Sequence, residues 1–204
     1  MATDVDNPTE PADGRVARRE RNINAVIDVV LEMFAEESMF PTIEQAAKRS
    51  GLSLRSLYRY FADPGELLEA AIKRSAEVGA ELSTLHAIGQ GTLDRRIEDF
   101  VNMRLRLEDR LGPAMRATRA NADRHPRVQE ELTKNRNAMR EQFAMQFAPE
   151  LTKLNPERRK AVLTAGDVLT QVDAVDYLRR HRDLSTANTR EALTTGLSSL
   201  LGTV

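Results

Sequence analysis

The sequence contains no cysteine and no tryptophan, and aromatic residues fill only 4% of its 204 positions. Without cysteine, disulfides, thiolate nucleophiles and cysteine-based zinc sites are excluded outright. Histidine is nearly as scarce. His86, His125 and His181 stand apart, with none of the spacings by which paired imidazoles hold a metal, so neither a metal nor a cofactor is expected. β-branched residues in alternating patterns are rare, which argues against sheet. No apolar run approaches the roughly 18 residues that a membrane span needs. The first residues, Met1-Ala2-Thr3-Asp4, open a stretch that stays acidic and proline-containing through Gly14, the opposite of a signal peptide. These absences point to a soluble, cytoplasmic protein with no membrane partner.

Net charge is also nearly absent, −1 at neutral pH. That average hides a segregated distribution. Asp4, Asp6, Glu10 and Asp13 precede a cluster of Arg15, Arg18, Arg19 and Arg21, and Lys48, Arg49, Arg55 and Arg59 follow downstream. One basic face beside an acidic remainder is compatible with nucleic acid, whose phosphates are met by clustered cations.

What the chain does have is alanine, leucine, glutamate and arginine, all strong helix formers, with 41% hydrophobic and 30% charged residues. That balance suits a folded all-α protein of about nine helices. Residues 1–14 read as a disordered acidic tail. A first helix follows from about Arg18 to Glu37, with Ile23, Val26, Ile27, Val30 and Phe34 on one stripe. Met39-Phe40-Pro41 ends it. Thr42 and Gln45 form a capping-box pattern for a short helix to Ser50. Gly51 then supplies a left-handed turn, Leu52 plugs the core, and Ser53 caps a third helix, Leu54 to Phe61. Two short helices joined by such a glycine turn form a helix-turn-helix. Leu57 and Phe61 would face inward, leaving Arg55, Ser56 and Arg59 outward, where Arg reads guanine bidentately and Ser accepts either base type.

Asp63-Pro64-Gly65-Glu66 opens a fourth helix running to about Leu82. Gly89-Gln90-Gly91 marks a break between domains. Five further helices are expected at about 92–110, 113–123, 126–147, 156–181 and 186–201, bounded by Gly112-Pro113, His125-Pro126, Asn155-Pro156 and Leu184-Ser185.

Thr42, Ala47, Gly51, Leu52, Ser53, Leu57, Tyr58, Tyr60, Phe61, Leu67 and Leu68 fall on a pattern that resembles the TetR family (TetR/AcrR-like) of transcriptional regulators. The resemblance covers about residues 18 to 72, and the remainder matches in number and order of helices. It implies an N-terminal helix-turn-helix DNA-binding domain over 15–62, and a ligand-binding and dimerisation domain over 63–204 with the fourth helix as connector. It further implies that Tyr58, Tyr60 and Thr42 bind phosphate oxygens, contacts that position a protein without specifying sequence. The candidate DNA contacts are Arg18, Thr42, Ser53, Leu54, Arg55, Ser56, Tyr58, Arg59 and Tyr60. Two departures stand out. Pro64 occupies the place where the family usually carries a phosphate-binding Lys, and Arg55 stands where a small residue is common. Arg55 either reads an additional base or restores the missing phosphate contact. Tyr58 and Tyr60 also fit a second role, as rim residues of a small three-helix core. The Arg15–Arg21 cluster fits either a minor-groove arm or a solvated helix start.

The resemblance places a ligand pocket among the helices of the middle region and a dimer interface on the last two. Phe100, Met103, Arg104, Leu107, Met115, Met139, Phe143 and Phe147 are the pocket candidates, with ordinary core as their other reading. Arg104, on an apolar stripe, would pair an anionic ligand, snorkel to water, or meet Asp173 or Asp176. Val162, Gly166, Leu169, Val172, Leu193, Leu197 and Leu200 are the candidates for the homodimer interface, with Gly166 and Gly196 either places of close helix crossing or simply tolerated glycines. The expected function is a repressor, dimeric on a palindromic double-stranded DNA operator and released by an unidentified small-molecule ligand. No nucleophile–His–acid set, phosphate loop or His-Glu-x-x-His pattern is present, and Gly89-x-Gly91 alone is too weak, so an enzyme is not expected. The competing readings are a helical enzyme built from dispersed carboxylates, and a helix-turn-helix dimer that binds a protein partner.

Overall fold

The computed structural model describes residues 12–37, 41–123 and 126–202, and among these it contains ten α-helices and no strand. They are α1 Ala12–Glu37, α2 Ile43–Ser50, α3 Leu54–Tyr60, α4 Pro64–Leu82, α5 Leu93–Ala122, α6 Pro126–Gln146, α7 Ala148–Leu151, α8 Pro156–Thr170, α9 Val172–Arg180 and α10 Thr186–Leu201. No described helix is long and apolar enough to cross a membrane.

Local chemistry accounts for the N-terminal elements. At α2 both halves of the capping box form, with the Gln45 N–H donating to Thr42 Oγ1 and the Thr42 N–H to Gln45 Oε1. Gly51, at φ 73°, ends the helix in the left-handed region, where a side chain would be strained. Ser53 caps α3 by accepting from the Ser56 N–H, and Asp63 caps α4 by accepting from the Glu66 N–H.

Two apolar clusters organise the chain. The first joins Val26, Val30, Ile43, Leu57, Phe61 and Leu67 of α1–α4 to Ala114, Ala117, Val128 and Leu132 of α5 and α6. The second gathers Ile97, Phe100, Leu107, Leu111, Phe143, Phe147, Val175, Leu193 and Leu197. Helix α5 runs through both.

Four expectations are corrected. Ala12, Asp13 and Gly14 belong to α1 rather than to a tail, because one glycine costs only about 1 kcal/mol in a helix and the Ala- and Arg-rich sequence beyond it outweighs that. Residues 1–11 of the expected tail, the stop at Met39-Phe40, the His125 boundary and the burial of the Phe34 side chain lie outside the described residues. Residues 92–110 and 113–123 form one helix through Pro113. Leu111 on one side is anchored in the second cluster and Ala114 on the other in the first, so packing holds the helix across the lost backbone bond. Residues 156–181 are two helices broken at Gln171, which is extended at ψ 147° and caps both. The fourth is the short α7, which sequence pattern did not suggest.

Candidate functional site

Helices α2 and α3 present one polar surface. Thr42 lies exposed at the start of α2, and Ser53, Leu54, Arg55 and Arg59 lie exposed along α3. Tyr58 is 48% exposed and its hydroxyl donates to Glu44 Oε1 at 3.3 Å. The Glu44 carboxyl sits below its usual range, held there first by its own backbone N–H and the Thr42 hydroxyl and then by Tyr58, against partial desolvation. Tyr60 is half-buried against the first cluster. Its hydroxyl accepts from Asn22 Nδ2 at 3.3 Å and from Arg59 at 3.4 Å, and its ring carries the Arg19 and Arg59 guanidiniums at 5.9 and 5.4 Å. Arg18 is exposed on α1. The result is a surface edged by arginines from two helices, with hydroxyls between them. Ser56 departs from the expectation: it is only 6% exposed, and its hydroxyl shares a 2.9 Å hydrogen bond with that of Ser53. On a seven-residue helix the inward stripe of Leu57 and Phe61 takes Ser56 with it, so Ser56 serves the cap rather than the outer face.

A cavity of about 500 Å³ lies between α4, α5 and α6. Of the pocket candidates, Leu107, Met115 and Met139 line it. Phe100, Met103, Phe143 and Phe147 do not; they are fully buried in the second cluster, where the three phenylalanines pack edge-on or tilted at 4.8–5.8 Å. Arg104 is buried behind the wall, with Gln142 Oε1 at 2.9 Å and the Met139 carbonyl at 3.0 Å accepting from it. It reaches neither water nor Asp173 or Asp176. Those carboxylates pair instead with Arg119, Arg136 and Arg116.

The α4 wall was missed from sequence. Ile72, Ala76, Gly79, Ala80 and Ser83 line the cavity, and their three- and four-residue spacing of small side chains is the signal that would have found it. Asn135, Ala138 and Gln142 of α6 face it from the other side, and Ile88 and Met145 stand exposed at its rim.

The dimer candidates divide in two. Val162, Gly166, Leu193 and Leu197 are buried within the protomer's own core, and Val172 is buried with its side chain against the cavity. A Cβ on Gly166 would collide with Phe143 Cζ, so this glycine serves the crossing of α6 and α8. Leu169 and Leu200 line a surface groove on α8 and α10 with Ala165, Gly196 and Val168, the last 64% exposed. The apolar residues of α8 thus cover an inner face at Val162 and an outer face at Ala165, Val168 and Leu169. Among the described residues, no group of three or more acidic or histidine side chains is placed to hold a metal.

Comparison with known proteins gives a consistent picture. A crystal structure of a TetR-family transcriptional regulator from Streptomyces coelicolor superposes with a TM-score of 0.68 at 21% identity, over 90% of this chain and 82% of that one. The fold is that of the TetR family. The multidrug binding protein EbrR, solved with imidazole, has the same fold at a TM-score of 0.59 and 18% identity, covering 88% of this chain and 94% of its own. In sequence, the HTH-type transcriptional regulator BetI of Escherichia coli O127:H6 is 35% identical over 86 residues. That match spans 41% of this chain and only 43% of BetI. No family model matches the chain. BetI and the Streptomyces coelicolor protein are both named as transcriptional regulators.

Proposed function

We propose that the protein is a cytoplasmic transcription regulator that binds a palindromic DNA operator as a homodimer and is released from it by a small molecule. The observation that carries this reading is the exposed α3 surface, where Arg55, Tyr58 and Arg59 stand beside the capped start of α2. A helix of this kind enters the major groove with its polar side chains on base edges and phosphates. Residues 15–62 then form the reading head, and residues 63–204 sense and dimerise. The apolar α8–α10 groove offers the face for a second copy, which the mechanism needs so that two heads meet half-sites about 34–36 Å apart. The α4–α6 cavity has the size and apolar walls of a small-molecule site, and EbrR, of like fold, is named for binding drugs. Helix α4 runs from the head to that cavity, so a ligand that prefers one placement of α4 shifts DNA affinity by its differential binding.

The test is binding to genomic fragments, including the promoter upstream of its own gene, across a salt series. Sequence-selective affinity that falls with salt is expected. Arg55→Ala should weaken binding about tenfold or more, as loss of a bidentate base contact does, and Tyr58→Phe should weaken it less and equally on all sequences. Equal affinity for every fragment, unaltered by either substitution, would overturn DNA reading. A ligand that tightens rather than releases the complex would overturn repression relieved by ligand.

A further inference from the structure

Among the described residues two arginines are buried, and the two are not alike. Arg96 has its counter-ion: Glu150 accepts from both of its terminal nitrogens, and the Gln146 carbonyl accepts a third bond. Arg104, only 1% exposed, has none; among the described residues no carboxylate lies within ion-pair reach of it. In that place it has a neutral amide oxygen, Gln142 Oε1, a backbone carbonyl of Met139, and the Met103 sulfur at 3.6 Å. Its guanidinium lies over the Phe100 ring at 4.5 Å, and its Nε is buried with no partner. Burial pushes Arg104 down to about 9, with Asp167 opposing, yet at neutral pH it remains a cation. Asp167 itself is held by Arg140 and Gln171. A desolvated cation satisfied only by neutral groups is a site awaiting an anion.

Two of these three neutral partners belong to the cavity. Met139 and Gln142 line it, and so does Ser83, whose carbonyl accepts from Gln142 Nε2 at the end of α4. The rest of the wall is largely apolar, with Leu107, Leu111, Met115 and Leu132. We propose that the cavity takes an anionic amphiphile, an apolar body ending in one carboxylate, and that this carboxylate displaces the Gln142 amide from Arg104. The planar guanidinium fork matches a carboxylate and holds it through paired bonds. Displacing Gln142 also strips the Ser83 carbonyl of its donor, so the last turn of α4 feels ligand directly. This inference rests on the cavity being a ligand site, and the two can fail separately.

The experiment is calorimetric titration of the full chain at neutral pH with a matched series of probes: decanoate, decan-1-ol and decylamine. Decanoate is expected to bind about tenfold or more tightly than decanol, and decylamine no better than decanol. Arg104→Met should bring decanoate down to the level of decanol and leave decanol unchanged. Gln142→Glu gives Arg104 a resident carboxylate, as Glu150 does for Arg96. It should abolish the preference for decanoate over decanol, which keeps the test decisive if Arg104→Met does not fold. Equal binding of decanoate and decanol by the wild-type chain, preferred binding of decylamine, or a preference that survives Gln142→Glu would overturn the inference and leave the cavity as a ligand site. Failure of all three probes to bind would overturn the cavity reading and the inference with it.

Discussion

The two halves of the molecule are held together by different physics. Around α1–α3 the core is apolar: Val26, Ile43, Leu57 and Phe61 are buried, and Ser56 is the buried polar residue of that region. Its helix ends are held by the polar caps Thr42, Ser53 and Asp63. From α5 onward the interior carries charge. Arg96, Arg104, Glu108, Glu150 and Asp176 are all buried, and arginines of α5 and α6 reach across to the acidic residues of α8 and α9. An apolar core tolerates changes that conserve volume, whereas a buried charge depends on a particular partner. The head is therefore robust to changes in charge and sensitive to lost volume, and the larger region is sensitive to both.

The largest effect should come from breaking the Arg96–Glu150 pair. Glu150→Ala leaves a buried guanidinium uncompensated and should cost about 3–5 kcal/mol in urea unfolding. The double variant Arg96→Met, Glu150→Leu should recover most of that loss, because both charges then leave together. In the head, Leu57→Ala should cost a comparable 2–5 kcal/mol, roughly, through its cavity, with no charge swap able to restore it. If the double variant is as unstable as Glu150→Ala, the contrast between the halves collapses.

A smaller effect tests close packing in the charged half. Gly166→Ala drives a methyl against the Cζ end of the Phe143 ring and should cost about 1–3 kcal/mol as the ring is forced aside. Phe143→Leu in the same chain should return part of it. No interaction between the two substitutions in a double-mutant cycle would mean that the α6–α8 crossing is not set by this contact.

What could be read in the sequence follows the same division. Capping boxes, the Gly51 turn and a single inward stripe are local signals, so the ends of α2, α3 and the start of α4 were legible within a residue. Of the outward residues only Ser56 was misplaced, because short helices have no strict second face. The larger region hides its logic in tertiary pairings. Nothing local marks the break at Gln171, where Asp167 and Asp173 are drawn to arginines 27 and 37 positions back. Nor does spacing reveal that Phe100, Phe143 and Phe147 pack on each other while small residues of α4 open the cavity. An apolar stripe states that a face is covered, not whether core, ligand or a second subunit covers it.

Next in size is the cap of α3. Ser53→Ala removes the oxygen that accepts from the Ser56 N–H and leaves the buried Ser56 hydroxyl without its partner. About 1 kcal/mol of stability should be lost. Ser53→Asn, a good cap, should restore most of it. A loss in DNA affinity from Ser53→Ala that Ser53→Asn does not relieve would point to direct contact with DNA rather than to capping.

The smallest effect separates the halves by pH. Burial chiefly, and then Asp109, raise the Glu108 carboxyl above its ordinary value, against Arg179 and Arg116. The folded chain thus keeps this proton over a window in which the unfolded chain has lost it, so the stability contributed by Glu108 falls as pH rises from the ordinary carboxylate value through the raised one. Glu108→Gln removes that titration, while Arg116 retains Asp176 at 2.6 Å. The variant should match the wild-type chain in acid and exceed it at neutral pH, with the gap opening across that window. A difference in urea midpoint that stays constant with pH would show that Glu108 titrates alike in the folded and unfolded chains, its burial fully offset by the arginines around it.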